Sequence, residues 1–445
     1  MISCSDCPPI VLNKMIDHWK ARKWSIEQLS SQITKKLSCK LCPKKNQNLF
    51  ETQCPHENIT LEEFFSWRQN DVDNNNPLRN YKPEEFSCYI DYKYMKDISP
   101  MEHMKAVDWG VFGFPDRDGR DSTIWIGTEG CYTNCHYDSY GFNLVAQIQG
   151  KKRWILYPPW ESSYLYPTRI PYEESSVFSE VNVKNPDFER HPLFKKANPY
   201  IVTLDPGQVL YVPPQWWHYV ESLEDSISIN TWIDISEDSE SRVSEAVTRC
   251  LVSLLLEARQ QLNQVPTADD TWINPGEEIL PLDANIQLLQ FALTSSYHRD
   301  ADKETNNQEK LCKALQNIPV RNKDTTLKGK RKWIGNTETE NCKSTRMCVH
   351  DKGDNSDTVN FKEKLCSHDV DVQSSQGEDI PYIVMVEREN KDEEKETSVK
   401  HQTTDLCRSS LETCSSHSTA TLFEKLVKSV LHPKVIEATV KELNQ

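Results

Sequence analysis

The sequence is poor in basic residues relative to acidic ones. Only 52 lysines and arginines stand against 67 aspartates and glutamates in 445 residues, which gives a net charge of −15 at neutral pH. Non-specific nucleic-acid binders depend on lysine and arginine to neutralise phosphates. The charge balance therefore argues against a nucleic-acid partner, although a local basic patch is still compatible with it.

Long apolar runs and a charged-then-apolar start are also missing. A membrane-spanning helix needs about 20 apolar residues, so we expect a soluble, non-secreted, cytoplasmic protein without a membrane span. Its 15 cysteines are then most simply free thiols. A short basic cluster at residues 328–332 is a candidate import signal for a nuclear pool, or simply a solvated charge run in a polar segment.

Composition and periodicity divide the chain into five ranges. We predict an α/β lead-in over residues 1–110, a strand-rich domain over 111–235, helices over 236–298, a disordered acidic-polar tail over 299–418 and an amphipathic helix over 419–445. An apolar island at residues 380–386 is an exception within the tail. Several short strands at close spacing indicate a barrel or sandwich in the second range.

The strongest chemical signal is the pair His136 and Asp138, with His218 as its best partner. Residues two apart on a strand point the same way, so the pair can bind one metal ion. Two imidazoles and one carboxylate form the facial triad of non-haem Fe(II) and leave positions open for other ligands. Taken alone, a His-x-Asp pair arises by chance, and a histidine beside tryptophans is often a core residue, so the flanking sequence has to decide.

The flanking motifs of residues 122–234 resemble the JmjC branch of the cupin oxygenases in order and spacing. The matching stretches are residues 126–127, 133, 136–138, 143–154, 158–159, 164–167, 206–213 and 216–222. A lead-in at residues 9–12 extends the resemblance over about residues 8–265. It implies a mainly β fold, a cupin-type double-stranded β-helix (jelly roll), with Fe(II) on His136, Asp138 and His218 and with 2-oxoglutarate as cosubstrate.

The resemblance also implies a set of cosubstrate-binding residues. Lys152 occupies the place of the lysine that pairs with the distal carboxylate of 2-oxoglutarate, and Lys151 is the alternative. Thr133 matches a hydroxyl that bonds the same carboxylate. The remaining matches are Asn143, Asn230 and Tyr94; ordinary interior hydrogen bonding is the alternative for both asparagines, and Tyr92 is the alternative to Tyr94.

One departure limits how much function can be transferred. Between Asp138 and Asn143 the chain has one residue more than the asparaginyl-hydroxylase pattern, including Gly141, and this loop borders the substrate entrance in the family. Residues 138–141 and 167–178 instead resemble a vertebrate branch of the family that associates with small heat-shock proteins. The substrate itself does not follow from the sequence.

We therefore expect a 2-oxoglutarate-dependent dioxygenase that hydroxylates a protein side chain, with lysine demethylation and RNA modification as weaker alternatives. A second class of function is a binding protein that regulates small heat-shock proteins in the stress response. An alternative zinc site would use Cys39, Cys42, Cys54 and His56 as its four ligands. Free thiols are the simpler interpretation of these cysteines. The helical stripe at residues 239–262 predicts packing on the barrel or a homodimer contact.

Overall fold

The computed structural model describes eight stretches of the chain. They are residues 8–45, 49–50, 53–169, 177–261, 280–297, 307–321, 380–388 and 430–443. The basic cluster at 328–332 and residues 419–429 of the predicted terminal helix lie outside them. No helix among these stretches is long and apolar enough to cross a membrane.

The described strands form two antiparallel sheets. They are β1 (Ile10–Asn13), β2 (Leu37–Pro43), β3 (His56–Ile59), β4 (Phe86–Tyr94), β5 (Thr123–Gly127), β6 (Tyr132–Tyr137), β7 (Phe142–Gln149), β8 (Lys152–Tyr157), β9 (Pro167–Arg169), β10 (Val177–Ser179), β11 (Tyr200–Leu204), β12 (Val209–Val212), β13 (Trp217–Ser222), β14 (Ser226–Ile233) and β15 (Tyr382–Met385). The larger sheet has the order β15-β1-β12-β7-β14-β5-β4-β2-β3, and the smaller β11-β8-β13-β6-β10-β9.

The α-helices precede and follow the strand-rich part. They are α1 (Ile26–Ser30), α2 (Leu61–Arg68), α3 (Met95–Ile98), α4 (Met101–Met104), α5 (Asp238–Gln261), α6 (Leu282–Tyr297), α7 (Asn307–Leu315) and α8 (Pro433–Leu443). A capping box starts α2: Thr60 accepts from the backbone of Glu63, whose side chain accepts from the backbone of Thr60. The lead-in strands β1 to β4 join the larger sheet, so this segment is part of the barrel architecture.

Strand β14 shows how the larger sheet separates two environments. Its alternation puts Ile227, Ile229 and Ile233 in the main hydrophobic core. Ser228, Asn230 and Trp232 lie on the other face and line a cavity between the sheets. Because both faces are covered, the strand is buried almost throughout. The mainly β, cupin-type fold expected from the sequence is thus confirmed, and its interior is divided into an apolar side and a polar side.

Two described segments lie within residues 299–418, the range for which we predict disorder except at its apolar island. Helix α7 buries Leu311 and Leu315 in the main core. Strand β15 pairs antiparallel with β1, so that Ile383 lies opposite Leu12 and is only 1% exposed. These segments fold because their apolar side chains cover surface on the barrel. The apolar island at 380–386 is the second of them.

The C-terminal helices form a separate small core. Ile436 and Val440 of α8 pack with Val243 and Val247 of α5. The described part of the terminal helix therefore packs back on the molecule, as an amphipathic helix does when a partner surface is available. Homodimerisation through these helices stays a prediction.

The alternative zinc site does not assemble. Cys39 lies in the main core, whereas Cys42, three residues further along β2, lies in a different cluster. Residues an odd number apart on a strand face opposite ways. None of the described cysteines forms a disulfide, and the zinc-site candidates do not form a group of converging ligand atoms within the described residues.

Candidate metal centre

The three predicted metal ligands meet at the seam of two paired strands. In the ladder between β6 and β13, His136 lies directly opposite His218, and a bulge follows between His218 and Val220. Asp138 comes directly after the end of β6. Antiparallel pairing therefore brings together side chains that are distant in the sequence.

The geometry of this group suits a single cation. Asp138 Oδ1 is 3.7 Å from His136 Nε2 and 3.9 Å from His218 Nε2. One potential ligand atom from each of the three residues lies within 4.8 Å of the others, and no other group of three or more such residues occurs in the part of the chain that the structure describes. Both imidazoles are buried.

Hydrogen bonds to the backbone orient both imidazoles. His136 Nδ1 lies 2.7 Å from the carbonyl oxygen of Asn134, and His218 Nδ1 lies 2.9 Å from that of Trp216. A carbonyl only accepts, so each Nδ1 carries a proton and Nε2 is the nitrogen that is left to face a metal ion. Burial and the charge of His218 lower the pKa of His136 to about 3, against the opposing effect of Asp138, so this ring is neutral at physiological pH.

The second oxygen of Asp138 is held by a chain of donors. Oδ2 accepts from Asn143 Nδ2 at 3.3 Å and from the indole of Trp232 at 2.9 Å. Asn230 then donates to Asn143 at 2.9 Å and accepts from the indole of Trp125 at 2.7 Å. The carboxylate is thus oriented with Oδ1 towards the histidines. Both asparagines line the cavity, where they connect the carboxylate to the indole of Trp125.

Lys152 lies in the same cavity and is 2% exposed. Its Nζ donates to Ser228 at 2.8 Å and to the hydroxyl of Tyr89 at 3.2 Å. No carboxylate among the described residues lies within ion-pair distance of it. Burial lowers the pKa of Lys152 to about 8, against the raising effects of Cys131 and Asp91. Burial of an ammonium without a nearby carboxylate favours the binding of an anion.

Tyr89 is one of the site residues that sequence reasoning misses. It is buried, lines the cavity and hydrogen-bonds Lys152 as well as Thr133. Tyr94, the predicted tyrosine, is 37% exposed, does not line the cavity and hydrogen-bonds the alternative, Tyr92. The register of β4 against β5 shifts between Ile90 and Lys93, which separates the two halves of this strand.

The loop after Asp138 is tied to the first C-terminal helix. Gly141 has a left-handed φ of 62° and donates its backbone N–H to Asp238 Oδ1 at 2.7 Å. A Cβ at this position would collide with the carbonyl oxygen of Ile233. Glycine is therefore required here, and the extra residue of this loop is accommodated by contact with α5.

Comparison with known proteins places this arrangement in a family. The family model described as Cupin-like domain matches residues 4–239, which is more than half of the chain. The chain belongs to the cupin-like domain family. The match includes every residue of the candidate metal centre and its surrounding cavity.

Curated relatives of this cupin-like protein carry two kinds of name. It is 44% identical over 302 residues to HSPB1-associated protein 1 homolog of Danio rerio, covering 66% of both chains. It is 46% identical over 275 residues to HSPB1-associated protein 1 of Homo sapiens, covering 60% of this chain and 55% of the relative. It is 28% identical over 230 residues to Lysine-specific demethylase 8 of Xenopus tropicalis, covering 50% and 47%. The matches thus span between about half and two thirds of each relative's length.

The donor set of the cupin-like site fits a ferrous ion. Two neutral imidazole nitrogens and one carboxylate oxygen are the ligands of the non-haem Fe(II) facial triad. The buried ammonium of Lys152, with two hydroxyl groups beside it, fits one end of a dicarboxylate. Both groups border the same cavity. The residues present therefore fit Fe(II) together with a keto-diacid.

Proposed function

We propose that this protein is an Fe(II)- and 2-oxoglutarate-dependent oxygenase of the JmjC type that hydroxylates a protein side chain. The observation that carries the proposal is the convergence of His136, Asp138 and His218 in the cavity that also contains Lys152. A metal triad alone fits many sites. Here the triad lies beside a buried ammonium that has no carboxylate partner among the described residues. This combination fits a dicarboxylate, which can bind the metal ion at one end and the ammonium at the other.

Each residue has a defined task in this proposal. His136, His218 and Asp138 would hold the iron, which together with 2-oxoglutarate and dioxygen supplies the oxidation of a C–H bond. Lys152 would bind the distal carboxylate by a charge-assisted hydrogen bond. Tyr89 and Thr133 orient that end of the cavity, since their hydroxyls lie in one hydrogen-bond chain with Lys152.

Three tryptophans of the cavity lining would exclude water from the site. Trp125, Trp154 and Trp232 line the cavity, and the first and last turn their indole N–H groups towards Asn230 and Asp138. The remaining ring surface is apolar. A site of this kind strengthens the electrostatic interactions inside it and protects a reactive centre from solvent.

The experiment is reconstitution of the full chain with Fe(II), 2-oxoglutarate and oxygen. We expect succinate to form in a slow reaction without added substrate, and to form faster with a protein substrate. Asp138→Ala should abolish iron retention and turnover, whereas Asp116→Ala, at an exposed carboxylate, should change neither. Absence of iron retention, or absence of 2-oxoglutarate binding, in the unaltered chain would contradict the proposal.

The names of the relatives support two refinements. A relative named for lysine demethylation favours an N-methyl group as the alternative C–H substrate. Relatives named for association with HSPB1 favour a small heat-shock protein as substrate or partner, in a stress response. A cytoplasmic location belongs to the same proposal. Incubation with HSPB1, followed by mass spectrometry for an added oxygen atom or a lost methyl group, distinguishes hydroxylation from demethylation.

A regulatory protein that binds HSPB1 without turnover is the second candidate, and the same relatives favour it. The two candidates are separated by a deletion that spares the helices and strands described in the structure. Removal of residues 391–429 leaves β15 and α8 in place, whereas removal of everything after 300 would also strip α7 and β15 from the barrel. Loss of HSPB1 binding with intact iron binding in the shorter deletion would assign binding to that segment.

A further inference from the structure

A second buried lysine lies beside the proposed cosubstrate site. Lys40, on β2, pairs across the ladder with Tyr89 of β4 and is 1% exposed. Its Nζ is 3.0 Å from Asp91 Oδ2. Burying two charges costs free energy unless they pair closely. A buried ion pair is therefore weak evidence for a stabilising role, and another role for this pair has to be considered.

Tyr89 brings the two lysines into one arrangement. The centroid of its ring is 5.1 Å from Lys40 Nζ and 5.0 Å from Lys152 Nζ. Asp91 follows two residues later on β4, which puts it on the same face as Tyr89. The charges also sense one another, since Asp91 raises and Lys40 lowers the pKa of Lys152. Lys40 and Lys152 thus both lie near the carboxylate of Asp91, which forms its ion pair with Lys40.

We propose that Lys40 is a positioning residue of the cosubstrate site: by pairing with Asp91 it keeps this carboxylate away from Lys152, so that Lys152 is available to a dicarboxylate. The inference rests on the proposed function, because it assumes that Lys152 binds 2-oxoglutarate. It assigns Lys40 no contact with the cosubstrate. Asp91 is then an internal competitor of 2-oxoglutarate that Lys40 holds in place.

The physical argument concerns what happens when Lys40 is removed. A carboxylate that is 9% exposed and has lost its lysine partner gains most from another cation. Lys152 would be that cation, because the charge of Asp91 already acts on it. An Asp91–Lys152 pair would use up the positive charge that the cosubstrate needs, and the same negative charge would repel a dicarboxylate. Neutralising Asp91 as well removes both effects.

The test is a double-mutant cycle on binding, without turnover. Affinity for 2-oxoglutarate is measured by calorimetry on the full chain, anaerobically and in the presence of Mn(II). We expect Lys40→Met to lower the affinity for 2-oxoglutarate about 10-fold or more, because the loss of a close charge pair with a bound carboxylate typically has an effect of that size. Asp91→Asn should bind as the unaltered chain or slightly tighter, and the double variant Lys40→Met with Asp91→Asn should recover the affinity. Mn(II) affinity should stay the same in all three.

A purely structural pair predicts a different pattern. Both single variants would then lose stability alike, and 2-oxoglutarate affinity would follow the folded fraction seen by thermal unfolding. Unchanged affinity in Lys40→Met, or a double variant as weak as Lys40→Met, overturns the inference; the second result would mean that Lys40 contacts the cosubstrate itself. A third lysine, Lys93, also lies near Asp91. Its Nζ donates to the backbone carbonyl of Asp91 at 2.6 Å.

One further variant completes the cycle. Lys40→Arg keeps the cation and should keep the affinity. If Lys40→Met does not fold, the double variant still decides the question, because the inference requires it to bind 2-oxoglutarate normally. If the unaltered chain binds Mn(II) but no 2-oxoglutarate, the proposed function fails together with the inference. If the unaltered chain binds 2-oxoglutarate and the cycle shows no recovery, only the inference fails.

Discussion

The indole nitrogen of Trp232 donates to Asp138 Oδ2 at 2.9 Å, while Oδ1 of the same carboxylate faces the two histidines. One oxygen is thus held by the protein and the other is presented to a metal ion. Trp232 therefore controls the rotation of the carboxylate. Outer partners of this kind tune metal affinity although they do not touch the metal.

Replacing Trp232 tests this control. Trp232→Phe keeps an aromatic ring but removes the indole donor, so Asp138 Oδ2 loses its bond of 2.9 Å and keeps the longer bond from Asn143. We expect metal affinity to fall about 10- to 100-fold, measured by titration with Fe(II) or Mn(II). Trp125→Phe is the matched control, because its indole bonds Asn230 and not the carboxylate. Equal losses in the two variants would contradict a specific role for Trp232.

Binding of 2-oxoglutarate should depend on pH in the alkaline range. Burial lowers the pKa of Lys152 from 10.5 to about 8. Below that pH the ammonium is charged and can bind a carboxylate; above it the free site loses its charge. The affinity should therefore be constant from about pH 6.5 to 7.5 and fall by up to about tenfold per pH unit above 8, measured by calorimetry. An affinity independent of pH up to about 10 would show that Lys152 is not the anchor.

The same buried charge predicts a conflict between stability and binding. One pKa unit corresponds to about 1.4 kcal/mol, so lowering the pKa of Lys152 from 10.5 to about 8 costs the folded state about 3 kcal/mol. The unfolded chain binds the proton more tightly, so the cost is complete below pH 8 and is relieved as the pH rises towards 10.5.

Lys152→Met should therefore stabilise the protein in the absence of 2-oxoglutarate. The gain at pH 7 should be about 1–3 kcal/mol, because the lost bonds to Ser228 and Tyr89 offset part of it. It should shrink between about pH 8 and 10. Urea unfolding at several pH values measures the difference, and calorimetry should show that 2-oxoglutarate no longer binds. A destabilised variant at pH 7 would mean that the ammonium is stabilised in the folded state.

Gly141→Ala should damage the metal centre from the loop side. The new Cβ meets the carbonyl oxygen of Ile233 in a left-handed backbone conformation, so the loop that follows Asp138 has to move. We expect a loss of about 2–4 kcal/mol in unfolding free energy, together with weaker metal binding. In Gly110→Ala the nearest atom belongs to the side chain of Asp108, which can rotate away. That control should keep its metal affinity.

The strand from the tail should contribute to stability. Ile383 is 1% exposed in the main core, and Ile383→Ala should cost about 2–4 kcal/mol in denaturant unfolding. The control is Ile380→Ala, at a side chain that is 52% exposed and just precedes the strand. A negligible effect at Ile383 would mean that β15 adds little to the folded barrel.

Part of the metal group is predictable from the sequence because its signals are local. His136 and Asp138 are two residues apart, and Ile227, Ile229 and Ile233 alternate with Ser228, Asn230 and Trp232, so period-two reasoning finds the correct faces. Lys152 follows from the family resemblance. Its suitability as an anion site also depends on its burial, which a sequence does not display.

The sequence is less informative where distant segments meet. Tyr89 escapes sequence reasoning because the three tyrosines of β4 (Tyr89, Tyr92 and Tyr94) compete for one role, and a register shift decides between them. The bond from Trp232 to Asp138 connects the two sheets. The pairing of β15 with β1 spans most of the chain, and no local periodicity in a polar tail reports such a contact.

The pairing of β15 with β1 also has a consequence for synthesis on the ribosome. Every motif of the cupin-like domain has been translated by residue 239, yet one edge of its larger sheet stays open until residues 382–385 have emerged. An open edge is a template for another strand. The nascent barrel therefore passes through a period in which its first strand is available to other chains, and its own tail ends that period.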